Sequence, residues 1–127
     1  MGVPSSRHHA DYWANTLIGT NCDDHLLGLA GADSLNGRGG NDVLRGGVER
    51  DRLSGGLGDD LLKGNAGADR LIGGAGADRL NGGAGKDSFD AGAGDDRISS
   101  RDGVRETVRC GAGRDTVTPK NRCRHWM

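Results

Sequence analysis

An aspartate recurs at every ninth residue through most of this chain. Ionised carboxylates can bind a hard cation, act as an acid or base in catalysis, or bond to the backbone of their own turn. One isolated aspartate would favour the last role, but nine in a single register indicate a shared one. The nine are Asp24, Asp33, Asp42, Asp51, Asp60, Asp69, Asp78, Asp87 and Asp96.

Apolar residues and glycines keep the same period as the aspartates. A period of nine fits neither the 3.6 residues of a helical turn nor the simple alternation of a long strand. It does fit a glycine-rich turn followed by a short strand whose middle side chain points inward. Five residues before each aspartate stands Gly or, once, Ala91. The apolar residues, each two after an aspartate, are Leu26, Leu35, Leu44, Leu53, Leu62, Leu71, Leu80, Phe89 and Ile98.

Two successive units would make one coil of eighteen residues with a strand on each side. Stacked coils would then form two parallel sheets that face each other over a single apolar ladder. Written from Gly73, one unit reads Gly-Gly-Ala-Gly-Ala-Asp-Arg-Leu-Asn, and the next, from Gly82, reads Gly-Gly-Ala-Gly-Lys-Asp-Ser-Phe-Asp. This pattern resembles the RTX (repeats-in-toxin) family of haemolysin-type calcium-binding proteins, with the nonapeptide G-G-x-G-x-D-x-U-x.

The resemblance covers residues 19–99, about two thirds of the chain. It implies an all-β fold, a parallel β-roll that is a two-sheet right-handed β-solenoid of nonapeptide repeats. It also implies Ca²⁺ as the bound ion and an extracellular destination. Main-chain oxygens of the flanking turns would complete each site, among them the carbonyls of Gly74, Gly76, Gly83 and Gly85.

Stacking places aspartates eighteen residues apart at about one strand spacing, roughly 4.8 Å. Two carboxylates at that distance repel by about 3 kcal/mol at an effective dielectric near 20. A hard, oxygen-seeking cation such as calcium would convert the repulsion into attraction, whereas thiolate or imidazole ligands for zinc or copper do not repeat. At most about seven sites follow from adjacent pairs in the two columns. The columns are Asp24, Asp42, Asp60, Asp78 and Asp96, and Asp33, Asp51, Asp69 and Asp87.

Two units depart from the pattern at their fourth position. Glu49 and Cys22 stand where the other units have Gly. A Cβ there is disfavoured if the turn needs a positive φ. We expect the sites at these two turns to be the weakest and those within 55–98 to be the best.

The predicted organisation has three parts. Residues 1–18 form an N-terminal flank with a degraded capping repeat, residues 19–99 hold nine repeats, and residues 100–127 form a C-terminal cap with divergent repeats and a basic tail. Terminal repeats are expected to be atypical because they cover an otherwise open core. Candidate elements of the two caps are Asn15, Leu17, a lid of Tyr12 and Trp13, the later ladder residues Val108 and Val117 with Glu106 and Asp115, and a stop at Pro119.

The chain has three cysteines. A bridge between Cys110 and Cys123 would close a short loop in the C-terminal cap in an oxidising compartment, leaving Cys22 free. The alternative is three unpaired thiols in a reducing cell.

The net charge of −1 conceals two oppositely charged segments. Residues 19–99 hold thirteen Asp and one Glu against seven Arg and two Lys, a net charge of −5, while residues 100–127 carry +4. The basic tail could contact nucleic acid or a membrane surface, but its cations alternate with acids, so we interpret it as a solvated cap and predict no nucleic-acid partner. Outward arginines either offset the carboxylates or bind an acidic partner or polysaccharide, which stays unknown: Arg52, Arg70, Arg79 and Arg97.

No motif points to an enzyme. H-E-x-x-H, G-x-S-x-G and GxxxxGK[ST] are all absent from the sequence. No apolar run reaches eighteen residues, so no membrane span is predicted, and residues 1–18 contain no recognisable N-terminal signal peptide.

The predicted function is therefore calcium binding by a β-roll that folds on binding Ca²⁺ outside the cell, as a structural or stabilising module. An alternative is the calcium-dependent C-terminal module of a secreted protease, lipase or adhesin. A more distant one is a metal-independent β-solenoid that binds ice or glycan through a flat face, although the outward positions carry mixed residues.

Overall fold

The computed structural model describes residues 6–9, 14–99 and 107–118. These residues form short β-strands and no helix. The spans are β1 Ser6–His9, β2 Thr16–Ile18, β3 Asp24–Leu27, β4 Ser34–Asn36, β5 Val43–Gly47, β6 Arg52–Gly56, β7 Leu61–Asn65, β8 Arg70–Gly74, β9 Arg79–Asn81, β10 Ser88–Asp90, β11 Arg97–Ser99, β12 Thr107–Arg109 and β13 Thr116–Thr118.

Successive strands alternate between two parallel sheets. One sheet has seven strands in the order β1-β3-β5-β7-β9-β11-β13, and the other has six in the order β12-β10-β8-β6-β4-β2. Within the repeats, paired residues are eighteen apart, as where Leu44 lies beside Leu62 and Leu53 beside Leu71. The predicted β-solenoid with eighteen residues per coil is confirmed.

A single apolar ladder fills the space between the sheets. Each strand within the repeats points its middle side chain inward, because successive side chains of a strand face opposite ways. The predicted ladder from Leu26 to Ile98 is at most 2 % exposed, and Val108 continues it. Leu17 and Val117 are partly buried against its two ends. The core is therefore one side chain wide along its whole length.

The turns place two residues of most units in the left-handed φ region. These are the second and fourth positions of the unit, for example Gly56 at φ 88° and Gly58 at φ 98°. Glu49 occupies the fourth position of its unit at φ 73°, so the expected backbone strain is present there. Cys22 is not among the described residues with positive φ, so its turn has a different shape. Non-glycine residues also have positive φ at the second position, which the sequence did not predict: Leu29, Arg38 and Asn65.

The two ends extend the coil in different ways. β1 pairs with β3, adding a strand that the sequence did not predict. β12 and β13 lie one residue out of the register of the repeats, since Phe89 pairs with Val108 and Ile98 with Val117, both nineteen apart. Four residues named for the caps, Tyr12, Trp13, Glu106 and Pro119, lie outside the described residues.

The cysteines separate into two kinds. Cys110 is disulfide-bonded, and Cys22 is a free thiol. Cys123, the predicted partner of Cys110, lies outside the described residues.

Candidate metal centre

All nine repeat aspartates are buried, each with no more than 3 % of its surface exposed. Each stands last in its turn, immediately before or at the start of a strand. Since strands alternate between the sheets, the aspartates form two columns on opposite edges of the coil. We call the turns ending in Asp24, Asp42, Asp60, Asp78, Asp96 and Asp115 the Asp60 edge, and those ending in Asp33, Asp51, Asp69 and Asp87 the Asp69 edge.

From Asp33 onward, one oxygen of each repeat carboxylate joins its coil to the coil before it. The backbone N–H of Asp60 donates to Oδ1 of Asp78 at 2.8 Å, and that of Asp78 donates to Oδ1 of Asp96 at 2.7 Å. The same bond recurs along both columns. It was missed in the sequence, because periodicity gives the spacing of the side chains but not which backbone group each one meets.

In six of the nine carboxylates the other oxygen is buried without a hydrogen bond. Buried polar atoms are almost always bonded, and an isolated buried charge is costly. A row of such oxygens therefore calls for a positive partner, and a cation that prefers carboxylate oxygen fits it. The oxygens concerned are Oδ2 of Asp42, Asp51, Asp60, Asp69, Asp78 and Asp96.

The glycine that opens most units lies directly beside that oxygen. A Cβ on Gly55 would lie 2.5 Å from Oδ2 of Asp60 and 2.8 Å from the carbonyl oxygen of Gly73 in the next coil. A side chain would collide with both atoms, so glycine lets a carboxylate oxygen and a main-chain oxygen lie close together. Oxygens of these two kinds are the ligands that calcium takes in proteins.

The carbonyls of Gly74 and Gly76 lie close to the places where Cβ atoms of Gly92 and Gly94 would be. This contact explains why glycine is favoured at the second and fourth positions in addition to its positive φ.

Asp24 differs from the other aspartates of its edge. Its Oδ2 accepts the backbone N–H of Thr20 at 2.6 Å, and the Thr20 hydroxyl lies 3.2 Å from Oδ1 and 3.1 Å from Oδ2. The carboxylate is therefore bonded within its own turn, which is also the turn of Cys22.

A second polar row lies outside the buried column on the Asp60 edge. The backbone N–H of Asn41 donates to Oδ1 of Asp23 at 2.7 Å, that of Asp59 to Oδ1 of Asn41 at 2.8 Å, and that of Ala77 to Oδ1 of Asp59 at 2.8 Å. These are residues at the fifth position of their units, and their side chains are exposed. The alternation of Asp and Asn at that position was the available sequence signal.

Burial raises the pKa of the column carboxyls. The pKa of Asp78 rises to about 8, and that of Asp69 to about 7. Loss of hydration is the largest cause; the N–H bond from the preceding coil lowers each pKa, and neighbouring carboxylates raise it again. The same causes raise the pKa of Asp42 and Asp96 to about 7 and of Asp51 and Asp60 to about 6.

These raised pKa values predict opposite effects of pH with and without calcium. Without metal, the folded coil holds protons that the unfolded chain, with Asp pKa near 3.8, has released, so the free energy of unfolding falls as pH rises from about 4 to about 8. The calcium-free chain should therefore show more β-structure by circular dichroism at pH 5 than at pH 8. Calcium affinity should change the other way, weakening as pH falls from 8 to 6, because protons compete for the same oxygens. A calcium-free chain more ordered at pH 8 than at pH 5 would contradict the first effect.

Other candidate sites are few. Among the residues that the structure describes, no three His, Cys, Asp or Glu side chains converge to hold a metal, so backbone oxygens would have to complete a cation site. Within the same residues, no helix has the length and apolar character needed to cross a membrane. The predicted outward arginines are exposed, at positions 52, 70, 79 and 97.

The fold and the columns define a parallel β-solenoid with buried, evenly spaced carboxylates. Residues 18–53, 45–80 and 72–104 each match the family model of the RTX calcium-binding nonapeptide repeat (4 copies). The matches span 18–104, more than half of the chain, and the chain belongs to this family. Repeats of the family bind calcium ions in a β-roll. No curated protein and no solved structure matches the chain.

Proposed function

We propose that this chain binds calcium between aspartates one coil apart on both edges and that it folds on binding outside the cell. The observation that carries the proposal is the set of buried Oδ2 atoms without a hydrogen bond. The proposed ligands are the nine repeat aspartates, Asp24, Asp33, Asp42, Asp51, Asp60, Asp69, Asp78, Asp87 and Asp96.

Calcium suits the available ligands better than a transition metal does. The columns offer carboxylate and main-chain oxygens, whereas zinc and copper sites favour sulfur and imidazole. When bound, calcium supplies the positive charge that the paired carboxylates lack. Glycine at the first position of most units supports this, because it lets Oδ2 and a main-chain oxygen lie close together, as at Gly55.

The register supports at most about seven sites, one between each pair of successive repeat aspartates in a column. The first gap of the Asp60 edge should be the weakest, since the Asp24 carboxylate is already bonded to Thr20. The main-chain ligands would be carbonyl oxygens that lie close to an Oδ2 atom, such as those of Gly55 and Gly73.

The proposed role is that of a structural module and not of an enzyme. Calcium near millimolar concentration outside cells matches the affinity of about 10⁻⁴ to 10⁻³ M typical of extracellular modules. The disulfide at Cys110 supports an oxidising compartment. Binding and folding would then be one event after export.

Isothermal calorimetry with one matched pair of variants tests the proposal. Asp78→Asn keeps an Oδ1 acceptor for the backbone N–H of Asp60 but removes one ligand from two adjacent gaps. We expect this variant to lose about two of the bound ions. Asp90→Asn changes charge equally on an outward, half-buried position and should keep the full number. No calcium uptake by the wild-type chain, or the same number of ions in all three proteins, would overturn the proposal.

A further inference from the structure

The two edges of the coil differ in the charge around their carboxylate columns. Over the matched turns 37–42, 55–60, 73–78 and 91–96 of the Asp60 edge the net charge is −5. Over turns 28–33, 46–51, 64–69 and 82–87 of the Asp69 edge it is −3. Including the first strand residue after each turn leaves this difference in net charge unchanged, because two of these residues are arginines on each edge.

The fifth position of the unit favours the Asp60 edge by four charges, and Arg38 and Glu49 at other positions reduce the net difference to two. On the Asp60 edge it carries Asp59 and Asp95, which stand beside the column. On the Asp69 edge it carries Arg50 and Lys86. A divalent cation is therefore attracted by extra carboxylates on one edge and repelled by extra cations on the other.

Backbone strain differs between the edges in the same direction. The Asp69 edge has three non-glycine residues in the left-handed region, Leu29 at φ 70°, Glu49 at φ 73° and Asn65 at φ 69°. The Asp60 edge has only Arg38 among the described residues. Side chains rarely adopt this conformation without cost. Ordering the Asp69 edge around a bound ion is thus less favourable, for a reason independent of charge.

We propose that the Asp60 edge beyond its first gap, from Asp42 to Asp96, binds calcium more tightly than the Asp69 edge, so that the chain fills these sites first and the others at higher calcium. The inference rests on the proposed calcium function and adds an order of filling. A difference of two net charges, together with the strained turns, corresponds to a difference of about tenfold or more between the Kd values of the two classes of site. The chain would then respond to calcium in two steps.

Calorimetric titration of the full chain with calcium tests this order through charge variants of the fifth position. Asp59→Asn with Asp95→Asn removes two charges from the Asp60 edge, and Asn41 shows that Asn can keep the same backbone bond. Arg50→Asn with Lys86→Asn removes two positive charges from the Asp69 edge. We expect the first pair to weaken only the tight class, by about tenfold, and the second to strengthen only the weak class by several fold.

A third variant separates strain from charge. Leu29→Gly removes a strained side chain that is 46 % exposed, without changing the charge, and should strengthen the weak class alone. A single class of sites in the wild-type chain, or variants that move every site equally, would overturn the unequal edges while leaving calcium binding intact. Absence of binding would instead overturn the proposed function.

Discussion

Removing calcium is expected to unfold the coil. A site with Kd near 10⁻⁴ M contributes about 1.4 kcal/mol at 1 mM calcium, and about seven such sites contribute about 10 kcal/mol. Small domains are stable by about 5 to 15 kcal/mol in total. We choose about pH 7.5, which lies near the upper end of the range in which the Asp carboxyls titrate. Circular dichroism at this pH should therefore show loss of the β-signal when a chelator is added in excess, and its return when calcium is restored.

Magnesium provides the control for this experiment. It demands a near-octahedral site and keeps its water, so it should not restore the β-signal at the same concentration. A chain that stays fully β-structured in chelator would contradict coupled folding. A chain that refolds equally well with magnesium would contradict a site built for calcium.

Gly55→Ala is expected to damage one site and the coil around it. The added Cβ would lie 2.5 Å from Oδ2 of Asp60 and 2.8 Å from the carbonyl oxygen of Gly73. Neither atom can move far, because Asp60 is bonded to the preceding coil and Gly73 lies within β8. Overpacking of this kind costs about 1 to 3 kcal/mol. It would also displace Oδ2 of Asp60, a proposed ligand of the ion. Chemical unfolding in calcium should show the loss of stability, and calorimetry should show the loss of one site.

Gly39→Ala is the matched control. Gly39 does not have a positive φ, and its added Cβ would meet Oδ1 of Asn21 at 3.3 Å, the end of a flexible exposed side chain. This variant should stay within about 0.5 kcal/mol of the wild type. Equal losses of stability in the two variants would show that the close packing beside Asp60 has no special role.

Ala91 already stands at the equivalent position of the last unit, so Ala91→Gly should strengthen calcium binding at Asp96.

Much of the architecture could be predicted from the period alone. A large apolar residue at every ninth position can be buried only if successive units lie on opposite sides of one core, and this fixed the pairing of Leu44 with Leu62. The positions of the aspartates followed from the same register. The strain at Glu49 was also predictable, because glycine occupies the equivalent position in most other units.

The remaining features depend on atoms that a period does not locate. The bond from each backbone N–H to the Oδ1 of the next coil requires the turn geometry, and so does the Asp24 bond to Thr20. The second position was not recognised as strained, since Leu29, Arg38 and Asn65 occur there beside glycine. The charges of the two edges could be counted once alternate units were assigned to separate columns, but the accompanying strain requires the φ values of the turns.

The bonds that the buried column carboxylates accept from the backbone all run in one sense along the coil. Asp42 N–H donates to Asp60, and Asp60 N–H donates to Asp78, so each coil offers these donors to the coil that follows it. The exposed fifth-position row runs in the opposite sense, since the N–H of Ala77 donates back to Asp59. The solenoid consequently has a polarity, and two such coils could continue both rows of bonds only head to tail.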